Sequence, residues 1–265
     1  ELRYSTHGLF TGTVTDGSWT APLTGARAIS VGQFDPGLAG RYTLGFEGSI
    51  TGAGEDTNFP GGLSIGTITV GSAGLIQFAG TLADGTPVTQ GINLNKDGRW
   101  PLYIPLYNDK GSLQSWISLA TSGPRNLSGQ VNWIKPALPA TRYPAGFNQQ
   151  LELHGSGYLR PVSGQRIIDQ SLGVLTLTGG NMATQILESA IIGSDNKVAI
   201  SGVSRPTMTV NLENGSFTGS FIHPITHLAT PIKGVFLQDE AIAIGFFLGP
   251  SRSGAVVVVG PAMAE

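Results

Sequence analysis

Cysteine is absent from the 265 residues, which excludes disulfide frameworks, zinc–thiolate and iron–sulfur sites and a cysteine nucleophile. Charge is scarce as well: 15 basic and 17 acidic side chains make up 12% of the chain and leave a net charge of −2, against roughly 25% charged residues in average domains. Without a basic run there is no electrostatic footprint for nucleic acid. Long apolar runs are missing too. AIAIGFFLG from Ala241 and AVVVV from Ala255 are strand-length and are separated by PSRSG, far short of the ~20 residues of a membrane helix. The opening ELRYSTHGLF has neither a basic n-region nor an apolar h-region, so any signal peptide is expected to have been removed or to lie upstream.

What is abundant is glycine, with 39 residues beside 16 prolines, about twice the usual ~7%. Such a composition argues against helical bundles, and the length suffices to bury a sizeable core without covalent staples. Short runs of β-type residues recur from end to end: Arg41–Phe46, Ser64–Val70, Leu75–Leu82, Trp100–Tyr107 and Ser112–Leu119. Ser-Ala-Gly, Ala-Asp-Gly, Lys-Asp-Gly and Asp-Lys-Gly separate them, which are hairpin signals. The same texture resumes after Asn126, for 16–18 expected strands in all. Asn181–Ile191 is balanced between a helical turn and a strand.

An internal repeat organises these strands. TITV at Thr67–Val70, followed by Gly74, Phe78 and Gly80, is echoed by TMTV at Thr207–Val210, followed by Gly215, Phe217 and Gly219. PVTQGINL from Pro87 corresponds to PIKGVFL from Pro231, and the next glycine landmarks are Gly111 and Gly254. GLFTGTV from Gly8 and PLTGA from Pro22 open the chain with a third, partial echo. Because alternate strand residues share a face, Phe10-Gly12-Val14, Phe78-Gly80-Leu82 and Phe217-Gly219-Phe221 each place a glycine between two large inward residues. The fold class expected is all-β, with two homologous glycine-rich antiparallel barrel or sandwich units in tandem. Residues 1–140 form the first, with the partial repeat at its N-terminus, and 141–265 the second. The proline-rich Lys135–Gly146 is the expected passage between them.

The set LIQFAGTLADGTPV, DGRWPLYIPLYNDKGSLQSWISL, LSGQVNWIKP, YPAGF, NGSFTGSF, IKGVFLQ and GFFLG resembles a glycine-rich β-repeat region near the C-terminus of very large secreted or surface proteins of Verrucomicrobia-type bacteria. The resemblance spans Gly40 to Pro261. It implies export, β architecture and neighbouring modules in the same polypeptide, and it carries over no activity and no catalytic residue. GSFTGSF also resembles the small lipoprotein barrels of the transferrin-binding type at the level of fold alone.

Chemistry-bearing motifs are few. Neither G-x-S-x-G nor a P-loop occurs, and no G-x-G-x-x-G follows a strand. His223 and His227 in HPITH have a helical ligand spacing that Pro224 breaks, so no metal site and no cofactor are expected. Asp84 with Asp97, or Asp239 with Glu240, would serve a glycosidase only if held about 5–10 Å apart across a cleft; Asp84 and Asp97 precede glycines and suit turns. The best binding candidates are aromatic: Trp100, Tyr103, Tyr107 and Trp116, beside Arg99, could stack on sugar rings. Ile242, Ile244, Phe246 and Phe247 at the corresponding strand of the second repeat argue instead for core filling.

The function expected is therefore that of a non-catalytic structural or adhesive module of a larger exported bacterial surface protein. Its partners would be a cell-surface glycan or other modules of the same polypeptide. A carbohydrate-binding module using those four aromatics is the alternative, followed by an outer-membrane barrel and a glycan-active enzyme.

Overall fold

The computed structural model describes residues 2–5, 8–46, 58–139 and 141–260. Nineteen strands and two short 3-10 turns make up its regular structure. The strands are β1 (Leu2–Tyr4), β2 (Leu9–Thr15), β3 (Thr20–Ala26), β4 (Gly40–Phe46), β5 (Ser64–Val70), β6 (Leu75–Thr81), β7 (Pro87–Asn93), β8 (Arg99–Leu106), β9 (Gly111–Leu119) and β10 (Asn126–Lys135). They continue with β11 (Phe147–Tyr158), β12 (Leu172–Gly179), β13 (Ile186–Ile192), β14 (Val198–Ser201), β15 (Thr207–Asn211), β16 (Ser216–Ile222), β17 (Ala229–Leu237), β18 (Ile242–Leu248) and β19 (Ser253–Val259).

The all-β, two-unit expectation holds. β4 to β11 form one eight-stranded antiparallel meander in which the last strand pairs with the first, and β12 to β19 form another. Each is a barrel with a single seam lacking strand pairing, β7/β8 in the first and β14/β15 in the second. β8 carries Pro101 and Pro105, and the carbonyls of Pro101 and Tyr103 face β7. In an antiparallel strand a residue's N–H and C=O point the same way, so the two prolines leave this edge short of donors. Gln90 of β7 stitches the gap: its amide nitrogen donates to those carbonyls at 3.2 and 3.1 Å, and its oxygen accepts from Trp100 Nε1 at 2.8 Å. At the second seam the buried Glu188 carboxylate holds the loop before β15, accepting the Ser204 N–H at 3.1 Å and hydroxyl at 2.7 Å.

Inward alternation fills both barrels. Tyr42, Leu44, Phe46, Phe78, Trp100, Ile117 and Trp133 belong to the first core, and Leu175, Leu177, Phe217, Phe221, Phe247 and Val256 to the second. This polarity is the reverse of a membrane barrel, whose apolar band faces outward. A third apolar layer lies between the barrels, with Leu63 and Ile65 against Val235, Leu237, Ile244 and Phe246. It explains the uninterrupted apolar runs: on β18, Ala243 and Phe247 face the barrel core while Ile244 and Phe246 face the neighbouring barrel.

One expectation needs correction, and one open reading is decided. Lys135–Gly146 joins β10 to β11, and β11 pairs with both β10 and β4, so it belongs to the first barrel. The division expected at 140/141 moves to the segment after Tyr158, residues 159–171, because sheet pairing and not proline content defines the unit. Asn181–Ile191 contains no helix. Asn181 adopts φ +73°, its side-chain oxygen accepts from Ser251 and Arg252 N–H, both at 3.0 Å, and β13 follows.

The repeat is visible in pairing register. Gly80 lies opposite Gly66 and Val88, and Phe78 opposite Ile68. Gly219 lies opposite Met208 and Ile232, and Phe217 opposite Val210. Gly12 lies opposite Leu2 and Leu23, and Phe10 opposite Tyr4. Thus β1–β3, β5–β7 and β15–β17 are one three-strand meander used three times. The equivalence weakens at the next strand, since β17 pairs with β18 whereas β7 and β8 meet at a seam. The first copy also departs from expectation: Phe10 and Val14 are exposed, not inward, because β1–β3 is a separate three-stranded sheet.

Candidate functional site

The four aromatics singled out in the sequence separate by strand parity. On β8, Trp100 points inward, is fully buried and packs edge-on against Phe78 with centroids 5.1 Å apart. Tyr103 points outward and is 60% exposed. Tyr107 begins the β8–β9 turn, where it, Asn108 and Asp109 all have positive φ, 55°, 56° and 63°. Its hydroxyl donates to Asp84 at 2.6 Å and accepts from Trp133 Nε1 at 3.0 Å. Burial, then Asp84, pushes its phenol well above the ordinary tyrosine range. Tyr107 therefore closes one end of the barrel and, with Trp100, is unavailable to a surface ligand.

Tyr103 and Trp116 instead share an open groove of about 920 Å³ on the outer face of β8–β11, within the ~300–1,000 Å³ range of ligand sites. Its floor follows from register. Tyr103, Gln114, Asn132 and Gln150 form one row across four strands, Pro101 lies beside Trp116, and Arg99, Ser118 and Ser128 form the row beyond. Leu23 and Thr24 of β3 make a wall. Arg99 donates to the Trp116 carbonyl at 3.0 Å and stands 5.8 Å from its ring, which holds the half-buried indole in place. Gln150 donates to Gln130 and Gln130 to Glu152, both at 2.8 Å, so these two amides are pre-oriented.

Each amide offers both donors and acceptors, and the two aromatics offer flat apolar faces. Hydroxyl-rich rings with one C–H face match that combination. The amides escaped sequence reading because they lie up to 36 residues apart between Gln114 and Gln150; the available signal was their shared outward parity in SLQSWISL, SGQVNW and FNQQLEL.

The other candidates are not brought together. Asp84 precedes β7 and Asp97 follows it, so they sit at opposite ends of the first barrel, and Asp84 Oδ1 caps its own turn through Thr86 N–H at 2.9 Å. Asp239 and Glu240 occupy the β17–β18 turn. His223 is fully buried, with Nε2 donating to the Gly180 carbonyl at 3.0 Å and Nδ1 accepting from Ile225 N–H at 3.2 Å, so both ring nitrogens are used by the fold. His227 is exposed in the turn with φ +57°. Among the described residues no cluster of three or more metal-ligating side chains occurs and no helix is long and apolar enough to cross a membrane. No family model, curated protein or solved structure matches the chain.

Proposed function

We propose that this chain is a non-catalytic adhesive module of an exported bacterial surface protein and that it binds polysaccharide along the β8–β11 groove. One observation carries the reading: Tyr103 and Trp116 lie with a row of outward amides in register, in a groove where Arg99 is the only charged lining residue among the described residues. Aromatic faces and amides suit neutral sugars, and the separated carboxylates give no support to glycoside hydrolysis. The glycine-rich resemblance and the lack of cysteine agree with export.

The test is retention on insoluble polysaccharides. Tyr103→Ala and Trp116→Ala are each expected to weaken retention about tenfold, equivalent to about 1.4 kcal/mol, with the thermal midpoint little changed because both rings lie on the outer face. Wild-type protein that no polysaccharide retains would leave a spacer or scaffold role and remove the groove as a glycan site.

A further inference from the structure

In an antiparallel meander alternate turns lie at the same end. The second barrel therefore gathers its β12–β13, β14–β15, β16–β17 and β18–β19 turns at one end and its β13–β14, β15–β16 and β17–β18 turns at the other. Hydrogen bonds tie the first four together: the Ile222 N–H donates to the Ser204 carbonyl at 2.7 Å, His223 Nε2 to the Gly180 carbonyl at 3.0 Å and the Ser251 N–H to Asn181 Oδ1 at 3.0 Å.

The two ends carry opposite charge. Residues 193–197, 212–215 and 238–241 hold Asp195, Glu213, Asp239 and Glu240 against Lys197 alone. Residues 180–185, 202–206, 223–228 and 249–252 include no aspartate or glutamate and carry Arg205, Arg252 and His227. Glu188, near the start of β13, is buried and its carboxylate is turned onto Ser204. The turn tips at this cationic end are aliphatic and stand in water: Val203 is 99% exposed, Leu228 67% and Ile225 55%. Each tip lies between two strands of the barrel yet outside its core.

We propose that this end of the second barrel docks on an anionic lipid bilayer, the three aliphatic tips entering the boundary between headgroups and acyl chains while Arg205 and Arg252 meet the headgroup phosphates. The site is separate from the β8–β11 groove of the first barrel. Lipid suits the chemistry better than a protein partner does. Three tips fall far short of the ~1,000 Å² that a specific protein interface buries, whereas a bilayer rewards each inserted side chain and each cation near its surface separately. The whole chain has a net charge of −2, so its attraction to anionic lipid depends on which end is presented.

Vesicle flotation of the whole chain tests this, with vesicles of phosphatidylcholine alone and of equal parts phosphatidylcholine and phosphatidylglycerol. The wild-type chain is expected to bind the mixed vesicles at least about tenfold more tightly and to be released from them by raised salt. Val203→Asp is expected to weaken that binding at least about tenfold, and Arg205→Gln about fivefold, the effect of one cation near an anionic surface. Both side chains are exposed, so the thermal midpoints should match wild type. Because the chain lacks cysteine, Val203→Cys and Asp195→Cys each accept a single polarity-sensitive fluorophore. On mixed vesicles the emission from position 203 should shift to the blue, and that from position 195, at the opposite end, should stay unchanged. A wild-type chain that does not float with the mixed vesicles would overturn the proposal, as would a Val203→Asp chain that floats as wild type or equal shifts at the two positions. Self-association that Val203→Asp abolishes, without vesicle binding, would overturn it too and assign the tips to a second copy of the chain.

Discussion

At the residue scale, neighbouring aromatics have opposite fates because a strand alternates sides every residue. Trp100 fills the first barrel and holds Gln90 across its seam, so Trp100→Ala is expected to cost about 3–5 kcal/mol in chemical denaturation. Tyr103→Ala should leave that curve nearly in place. Equal losses would deny the inside-outside assignment of β8. Tyr158 makes a pH prediction: burial, followed by Glu213, pushes its phenol up to about 12, above the ordinary ~10 of an unfolded chain. Its neutral form is thus favoured in the folded state, so its contribution is complete below pH ~10 and is lost as pH rises from there toward 12. Denaturation midpoints measured through this window should fall, and Tyr158→Phe should flatten part of the fall. A variant with the same pH profile as wild type would show that Tyr158 ionises freely.

At the element scale, the repeated glycines exist because strand pairing brings a neighbour's backbone too close for a side chain. A Cβ on Gly80 would stand 2.5 Å from the Ile65 carbonyl oxygen and 2.9 Å from the Phe78 ring, and at Gly219 it would collide with the Thr207 carbonyl. Gly80→Val and Gly219→Val are each expected to destabilise by more than the ~1 kcal/mol span of strand propensity. Unchanged melting temperatures would contradict the shared register. Much of this layer was legible in the sequence: Gly74, Gly85 and Gly98 end their turns with φ of +80°, +94° and +72°, as the hairpin signals required. The β8–β9 turn was not, since Tyr107, Asn108 and Asp109 take the left-handed conformation there and Gly111 is needed in β9, against the Ile134 carbonyl. The boundary between units was illegible for a related reason. Prolines at 136, 139 and 144 read as a linker, but only long-range pairing reveals that the strand after them returns to β4. The groove was half legible, its aromatics by type and its amides only once β9, β10 and β11 are aligned.

At the scale of the whole molecule, the two barrels are joined by more than a tether. Leu63, Ile65, Val235, Leu237, Ile244 and Phe246 are all at most 8% exposed in the layer between them. At about 1.5–3 kcal/mol per buried large side chain, six of them are worth on the order of 10 kcal/mol, comparable to the stability of a whole domain. Polar contacts fix the orientation: Thr43 Oγ1 donates to the Phe236 carbonyl at 2.6 Å, the Ser253 N–H donates to the Tyr143 hydroxyl at 2.9 Å, and Arg41 pairs with Glu213 at 3.6 Å. A coupling that large should make the barrels melt together, so calorimetry is expected to record one transition for the native chain. Phe246→Asp places an unpaired charge in this layer while leaving the second barrel's core residues, such as Phe217 and Phe247, in place. It is expected to split the transition in two, the earlier one belonging to the less stable barrel. Two resolved transitions in the wild-type chain would mean that the layer couples the barrels far more weakly than its buried area implies. A single lowered transition in Phe246→Asp would mean that neither barrel outlasts the other once the layer is broken.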